Sequence, residues 1–213
     1  MRSKSAFTLI ELLVVISIIL IASSIIFIGG NGGAGAKLSS AQRIIAGVAQ
    51  GARGQAILKN AKTCLIINND PTDLEKYRRF IGIIYRGYDT DSSGNEVGTE
   101  GWIAATQGVY LPEGIYFDPS LSKDYGGETE SVNFPRRTVA GSSDDPVPYY
   151  KYTFKSNGNS ENANEWLVIR AGQLNADGEL QAYNSESEEA GLKAALIFRK
   201  VGTTTLVDDP TKI

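Results

Sequence analysis

The hydrophobic pattern changes period twice along the chain. Residues 7–28 are apolar or small at almost every position and carry one charge, Glu11. A helix over that run, at ~1.5 Å per residue, reaches ~33 Å and covers a ~30 Å hydrocarbon core. Between positions 38 and 56 the apolar residues fall instead at three- and four-residue steps: Leu38, Ala41, Ile45, Val48, Ala52 and Ala56. That period predicts a second helix over 37–60 with one buried stripe. Gln42, Arg43, Gln50, Arg53 and Lys59 fall largely on its other faces. From Thr63 onward short apolar runs predict strands over 63–67, 79–86, 101–105, 114–118, 149–155, 166–171 and 194–201. In the fifth of these, Tyr150, Tyr152 and Phe154 alternate with Tyr149, Lys151, Thr153 and Lys155, which gives the strand two faces.

Polar and glycine-rich text punctuates these elements. Residues 29–36 hold five glycines, each costing a helix ~1 kcal/mol relative to alanine, so the helix should break or loosen there as a hinge or a plain spacer. Turn signals stand at Asp91-Ser92-Ser93-Gly94, Lys155-Ser156-Asn157-Gly158 and Asn175-Ala176-Asp177-Gly178. Residues 119–148, rich in Ser, Gly, Pro and charge, read as a long mobile surface loop. The expected fold class is α+β. A long N-terminal stem helix, made of a transmembrane half, a Gly-rich break and an amphipathic half, packs on a β-rich head of antiparallel sheets over 61–213.

The apolar run sets orientation. Arg2 and Lys4 precede it and no acidic residue does, so residues 29–213 should lie across the membrane from the basic end. A secretory signal peptide is the bland alternative, with Ala34-Gly35-Ala36 as a cleavage site. Its apolar core, however, usually runs ~7–15 residues, shorter than this span. Glu11 argues for a specialised anchor, because a carboxylate within a bilayer costs on the order of 3 kcal/mol and such groups mark function.

The segment Ala6-Phe7-Thr8-Leu9-Ile10-Glu11-Leu12-Leu13-Val14-Val15-Ile16 resembles the class III signal of type IV pilins and type II secretion pseudopilins. Ala6 stands where that family usually has Gly. The resemblance implies that residues 1–6 are a prepilin leader, cut between Ala6 and Phe7 by a membrane prepilin peptidase, and that Phe7 is then N-methylated. It further implies that Glu11 of one subunit faces the Phe7 amine of its neighbour. Two charges that are each costly alone compensate as a pair and fix register. Ala41-Gln42-Arg43-Ile44-Ile45-Ala46, Ala52 to Asn60 and Tyr152-Thr153-Phe154-Lys155-Ser156-Asn157-Gly158 are similar to minor pseudopilins of the GspH/FimT type. The implied protein is a non-enzymatic subunit anchored by one pass in the inner membrane, with its head in the periplasm. Its implied partners are other pseudopilins, the peptidase and the secretion assembly platform. A minor type IV pilin acting in pilus assembly or DNA uptake is the alternative.

Composition narrows the classes further. The chain has 21 Lys and Arg against 24 Asp and Glu, a net charge of −3. Setting aside Arg2, Lys4 and Glu11 leaves −4 on residues 29–213. Such a domain is a poor match for nucleic acid, whose phosphates need clustered cations. The lone cysteine, Cys64, excludes an intrachain disulfide, and its apolar run predicts a buried structural thiol. The absence of histidine removes Ser-His-Asp and Cys-His catalysis and any His-metal site.

One motif points to a metal. In residues 89–100, Asp89, Asp91, Ser93 and Glu100 fall at the ligand spacing of an EF-hand loop, with Gly94 at its sixth position. Hard oxygens at that spacing suit Ca²⁺. The flanks, Ile83-Ile84-Tyr85 and Trp102-Ile103, read as strands rather than helices, so a polar hairpin without an ion is the favoured reading and no cofactor is expected.

Overall fold

The structure is a computed structural model and describes residues 33–91, 93, 95–123, 129–134, 146–182 and 191–209. The 7–28 run lies outside them. Among the described residues no helix is long and apolar enough to cross a membrane.

The chain enters through helix α1 (Ala34–Lys59). Ala34, Gly35 and Ala36, the end of the glycine-rich stretch, are already helical. The helix stops at Asn60, whose φ of 47° places it in the left-handed region. Ala61 N–H donates to Ala56 O and Asn60 N–H to Ile57 O, which satisfies carbonyls of the last turn. The buried stripe is Leu38, Ala41, Gln42, Ile45, Ala49, Ala52 and Ala56. It departs from expectation at two places. Ala49 replaces Val48, which is only half-buried. Gln42, expected off the stripe, is buried because its amide donates to Ala195 O at 3.0 Å and Val207 O at 3.1 Å. A polar side chain joins a core where backbone acceptors await it, and periodicity does not show those acceptors.

Eleven strands follow among the described residues: β1 (Thr63–Asn68), β2 (Phe80–Thr90), β3 (Glu96–Ala104), β4 (Val109–Tyr110), β5 (Ile115–Phe117), β6 (Thr129–Val132), β7 (Val147–Phe154), β8 (Trp166–Leu174), β9 (Leu180–Ala182), β10 (Lys193–Phe198) and β11 (Thr204–Val207). They form two antiparallel sheets. The first has the order β3-β2-β1-β7-β6 with β4 beside β2, and the second β11-β10-β8-β5 with β9 beside β8. β6 falls within the stretch expected to be loop, where its backbone pairs with β7 from Thr129↔Tyr150 to Val132↔Val147. The expected 194–201 strand ends at Phe198, where a turn leads into β11.

One core cluster joins α1 to the inner faces of both sheets. Leu65, Ile81, Ile83, Tyr152 and Phe154 come from the first sheet, and Leu167, Ile169, Leu196 and Phe198 from the second. The alanines of α1 let its backbone approach closely. β1 runs back along α1, so the molecule has two ends. The far end holds the C-terminus of α1, where Lys59 lies over the Tyr85 ring at 5.2 Å. The near end holds Asn68 and the 69–79 segment.

Candidate functional site

Ala6, Phe7 and Glu11 lie outside the described residues. The other sequence candidates lie on the hairpin that joins β2 to β3. Residues 84–87 and 101–104 pair closely, then the register shifts between Gly87 and Asp89 and resumes as Asp89↔Val97 and Thr90↔Glu96. The flanks are strands, as the hairpin reading expects. Asp91 caps the turn: its Oδ1 accepts from Ser93 N at 2.8 Å and Asn95 N at 2.9 Å, and Oδ2 from Asn95 Nδ2 at 3.3 Å. This is the Asx geometry by which an aspartate stabilises a turn with no ion. Glu100 lies four residues along β3 from Glu96, which at ~3.3 Å per residue sets its backbone ~13 Å down the strand. An EF-hand instead curls its twelfth residue back over the first. Among the described residues no group of three His, Cys, Asp or Glu side chains gathers to hold a metal.

Cys64 is fully buried between sheet neighbours, with Sγ 3.3 Å from Thr153 Oγ1. Burial pushes its thiol up from 9.0 to about 11, offset in part by the Thr153 bond, so it stays protonated and inert as expected.

Sequence reasoning missed a polar centre on the second sheet. Arg170 Nη1 donates to Asp118 Oδ2 at 3.3 Å, and both side chains are about 95% buried, with 5% and 4% exposed. Asp118 Oδ1 also accepts from the amide and hydroxyl of Ser120. Ser122 Oγ donates to Asp118 O at 2.7 Å and accepts from Val168 N at 2.9 Å. Among the described residues Arg170 Nε and Nη2 have no hydrogen-bond partner. The available signal was a lone arginine inside the apolar run 166–171, because a buried guanidinium demands a buried anion.

A second missed feature ties the far end together. Arg53 Nε donates to Gly158 O at 3.3 Å. Gly158 and Gly202 both hold φ near +80°, and a Cβ on Gly202 would overlap Gly158 O and crowd Arg53. The two hairpin turns therefore meet backbone to backbone, which glycine permits, and the helix joins them through the Arg53 and Ile57 side chains. At the near end, a 2.6 Å bond from Lys76 Nζ holds the Asp73 carboxyl below its usual range and raises Lys76 in turn.

These features build surfaces and a rigid frame. They do not build a nucleophile with a base. Comparison with known proteins agrees with the N-terminal reading. Residues 1–27 match the prokaryotic N-terminal methylation motif. No curated protein matches the chain. Among solved structures the chain is similar to a minor pseudopilin EpsH from the type II secretion system of Vibrio cholerae. That structure is 14% identical at a TM-score of 0.41, covering 81% of this chain and 94% of that one. A second EpsH structure from the same organism is 12% identical at a TM-score of 0.37, covering 81% and 97%. Residues 1–27 thus carry the N-terminal methylation motif, and the described residues form a helix and an antiparallel β head.

Proposed function

We propose that this chain is a structural subunit, a minor pseudopilin of a type II secretion pseudopilus, and that it is not an enzyme. The observation that carries the proposal is the methylation motif over residues 1–27. The span at 7–28 holds the subunit in the inner membrane until the assembly platform extracts it, with its head in the periplasm. The prepilin peptidase cuts between Ala6 and Phe7 and Phe7 is methylated. The new Phe7 amine then meets Glu11 of a neighbouring pseudopilin inside a low-dielectric bundle, where opposite charges relieve each other's burial. The rigid attachment of α1 to both sheets supports the reading, because a stem that joins a filament must carry its head in a fixed orientation.

Mass spectrometry of the mature chain tests the processing: residues 1–6 should be absent and the Phe7 amine should carry one methyl group. Glu11→Ala should still insert in the membrane but assemble poorly with other pseudopilins. Normal co-assembly of that variant sinks the register role.

A further inference from the structure

The stem helix is charged unlike the domain it carries. Helix α1 has Lys37, Arg43, Arg53 and Lys59 and no carboxylate, a charge of +4. Residues 60–213 hold 15 Lys and Arg against 23 Asp and Glu, a charge of −8. The buried stripe of α1 faces the sheets, and its opposite side, with Ser40, Arg43, Gly47, Gly54 and Leu58, is open to solvent. Lys37 and Lys59 are exposed beside that side.

The cations continue past the helix. The turns after β7 and β10 pack against its C-terminal half, since Gly158 lies against Ile57 and Gly202 against Arg53. Lys155, Arg199 and Lys200 are exposed on those turns. Of the carboxylates nearby, Glu161 is held by Lys62 at 2.8 Å and Glu165 accepts from Asn162 Nδ2 at 2.7 Å. Asp208 and Asp209 border the helix only past Val207, whose carbonyl binds Gln42. Ile57, Leu58, Val201 and Leu206, all on α1 or on the turn and edge strand beside it, are 51%, 74%, 58% and 46% exposed. Aliphatic side chains among cations along one helix suit the boundary between headgroups and acyl chains of an anionic bilayer.

The chain itself brings such a surface within reach. Residues 29–32 separate the apolar run 7–28 from Gly33 and span at most ~14 Å, so the start of α1 stays near the membrane that holds the run. Glycine at 29, 30, 32 and 33 permits a sharp turn there. An upright α1, 26 residues long, would lift Lys59 ~39 Å from the surface, whereas a recumbent one lays its open side on headgroups.

We propose that, before assembly, the open side of α1 and the turns after β7 and β10 lie on the surface of an anionic phospholipid bilayer. Arg43, Lys59, Lys155 and Lys200 meet lipid phosphates, and Leu58 and Val201 enter the acyl boundary. The proposal rests on the reading of 7–28 as a membrane anchor. Nucleic acid offers the same phosphates but no apolar layer for the exposed aliphatic side chains.

Fluorescence of the full chain reconstituted in vesicles at high lipid excess tests the contact. An environment-sensitive label is carried by Leu58→Cys, Val201→Cys or Lys123→Cys. Native Cys64 is sealed in the core. Lys123 lies over the Trp166 ring, and Trp166 shares the outer face of the second sheet with Arg170, away from α1. In vesicles containing phosphatidylglycerol, headgroup spin-labelled lipid should quench the labels at 58 and 201 several-fold more than in phosphatidylcholine vesicles. The label at 123 should stay in water in both. Raising salt to ~0.5 M should abolish the difference, because it screens exposed charges. Arg43→Glu combined with Lys200→Glu should abolish it at low salt. Equal quenching in both vesicle types, equal quenching at 123, quenching that depends on protein density, or DNA that shields the labels as well as anionic lipid does would each overturn the proposal. Alkaline extraction of the same vesicles reports separately on the anchor. A chain retained with its labels in water keeps the anchor and removes the docking. A chain that extracts, after its labels were shielded by anionic vesicles, keeps the docking and removes the anchor.

Discussion

The outer faces of the two sheets do the same job with opposite materials. On the first sheet Cys64, Ile66, Phe80, Ile84 and Tyr149 form an apolar cluster, closed by the Trp102, Phe134 and Val147 side chains. Phe80 meets Tyr110 and Phe134 edge-on, at 5.0 and 5.4 Å between ring centroids. Gly82 leaves the space that the Phe134 ring fills, since a Cβ there would approach within 2.8 Å. On the second sheet the corresponding face is occupied by Arg170, Asp118 and the serines that bind Asp118. An apolar cover contributes in proportion to the area it buries and degrades gradually. A buried ionic cover has a near-zero net worth while intact, yet removing one member strands the other without water. The second sheet is thus held by specification and the first by bulk.

The largest effect should come from the ionic side. Asp118→Ala leaves the Arg170 guanidinium buried and unpaired, and the expected loss is about 4 kcal/mol in a urea titration. A loss under about 1 kcal/mol would erase the contrast. Phe80→Ala tests the apolar side, where the expected cost is about 3 kcal/mol. An alkaline pH series sharpens the comparison through Cys64. Its folded thiol is raised to about 11 from 9.0, so the native state keeps a proton that the unfolded chain has lost. That stability is complete below pH 9 and falls as pH rises toward 11, by under about 3 kcal/mol. Cys64→Ala should flatten the slope of melting temperature against pH across that window. The smallest effect is expected at Lys151 and Glu130, an ion pair on the first sheet's outer face with side chains 18% and 30% exposed. Lys151→Ala should cost about 1 kcal/mol or less, because solvent screens what it reaches.

What the sequence revealed follows the same division. The helix stripe, seven of the strands and the turns at Gly158 and Gly178 are legible because each depends on local period or on a local φ. Asn175 and Gly178 illustrate this: the Asn side chain caps Asp177 N and Glu179 N, and Gly178 takes a φ of +79°. β4, β6, β9 and β11 escape detection because each is short, without the buried apolar pair that marks β5, and is defined by its partner. Gln42 and Arg170 escape for a related reason. Their burial is set by acceptors supplied from positions far away in sequence, Ala195 and Val207 for one and Asp118 for the other. The hairpin at 89–100 shows the reverse hazard, in which a ligand-like spacing is reproduced by a turn that uses Asp91 for its own backbone.

Two of the ties between α1 and the rest of the head have a mechanical consequence. Gln42 binds the backbone of β10 and β11, and Arg53 binds the turn after β7. They stand eleven positions apart on the helix, ~16 Å along the axis. A pull on the stem loads both anchors together, in shear, instead of peeling them in succession. Bonds stressed in parallel share the force, so tension reaching the helix N-terminus displaces the entire head before it separates any one strand.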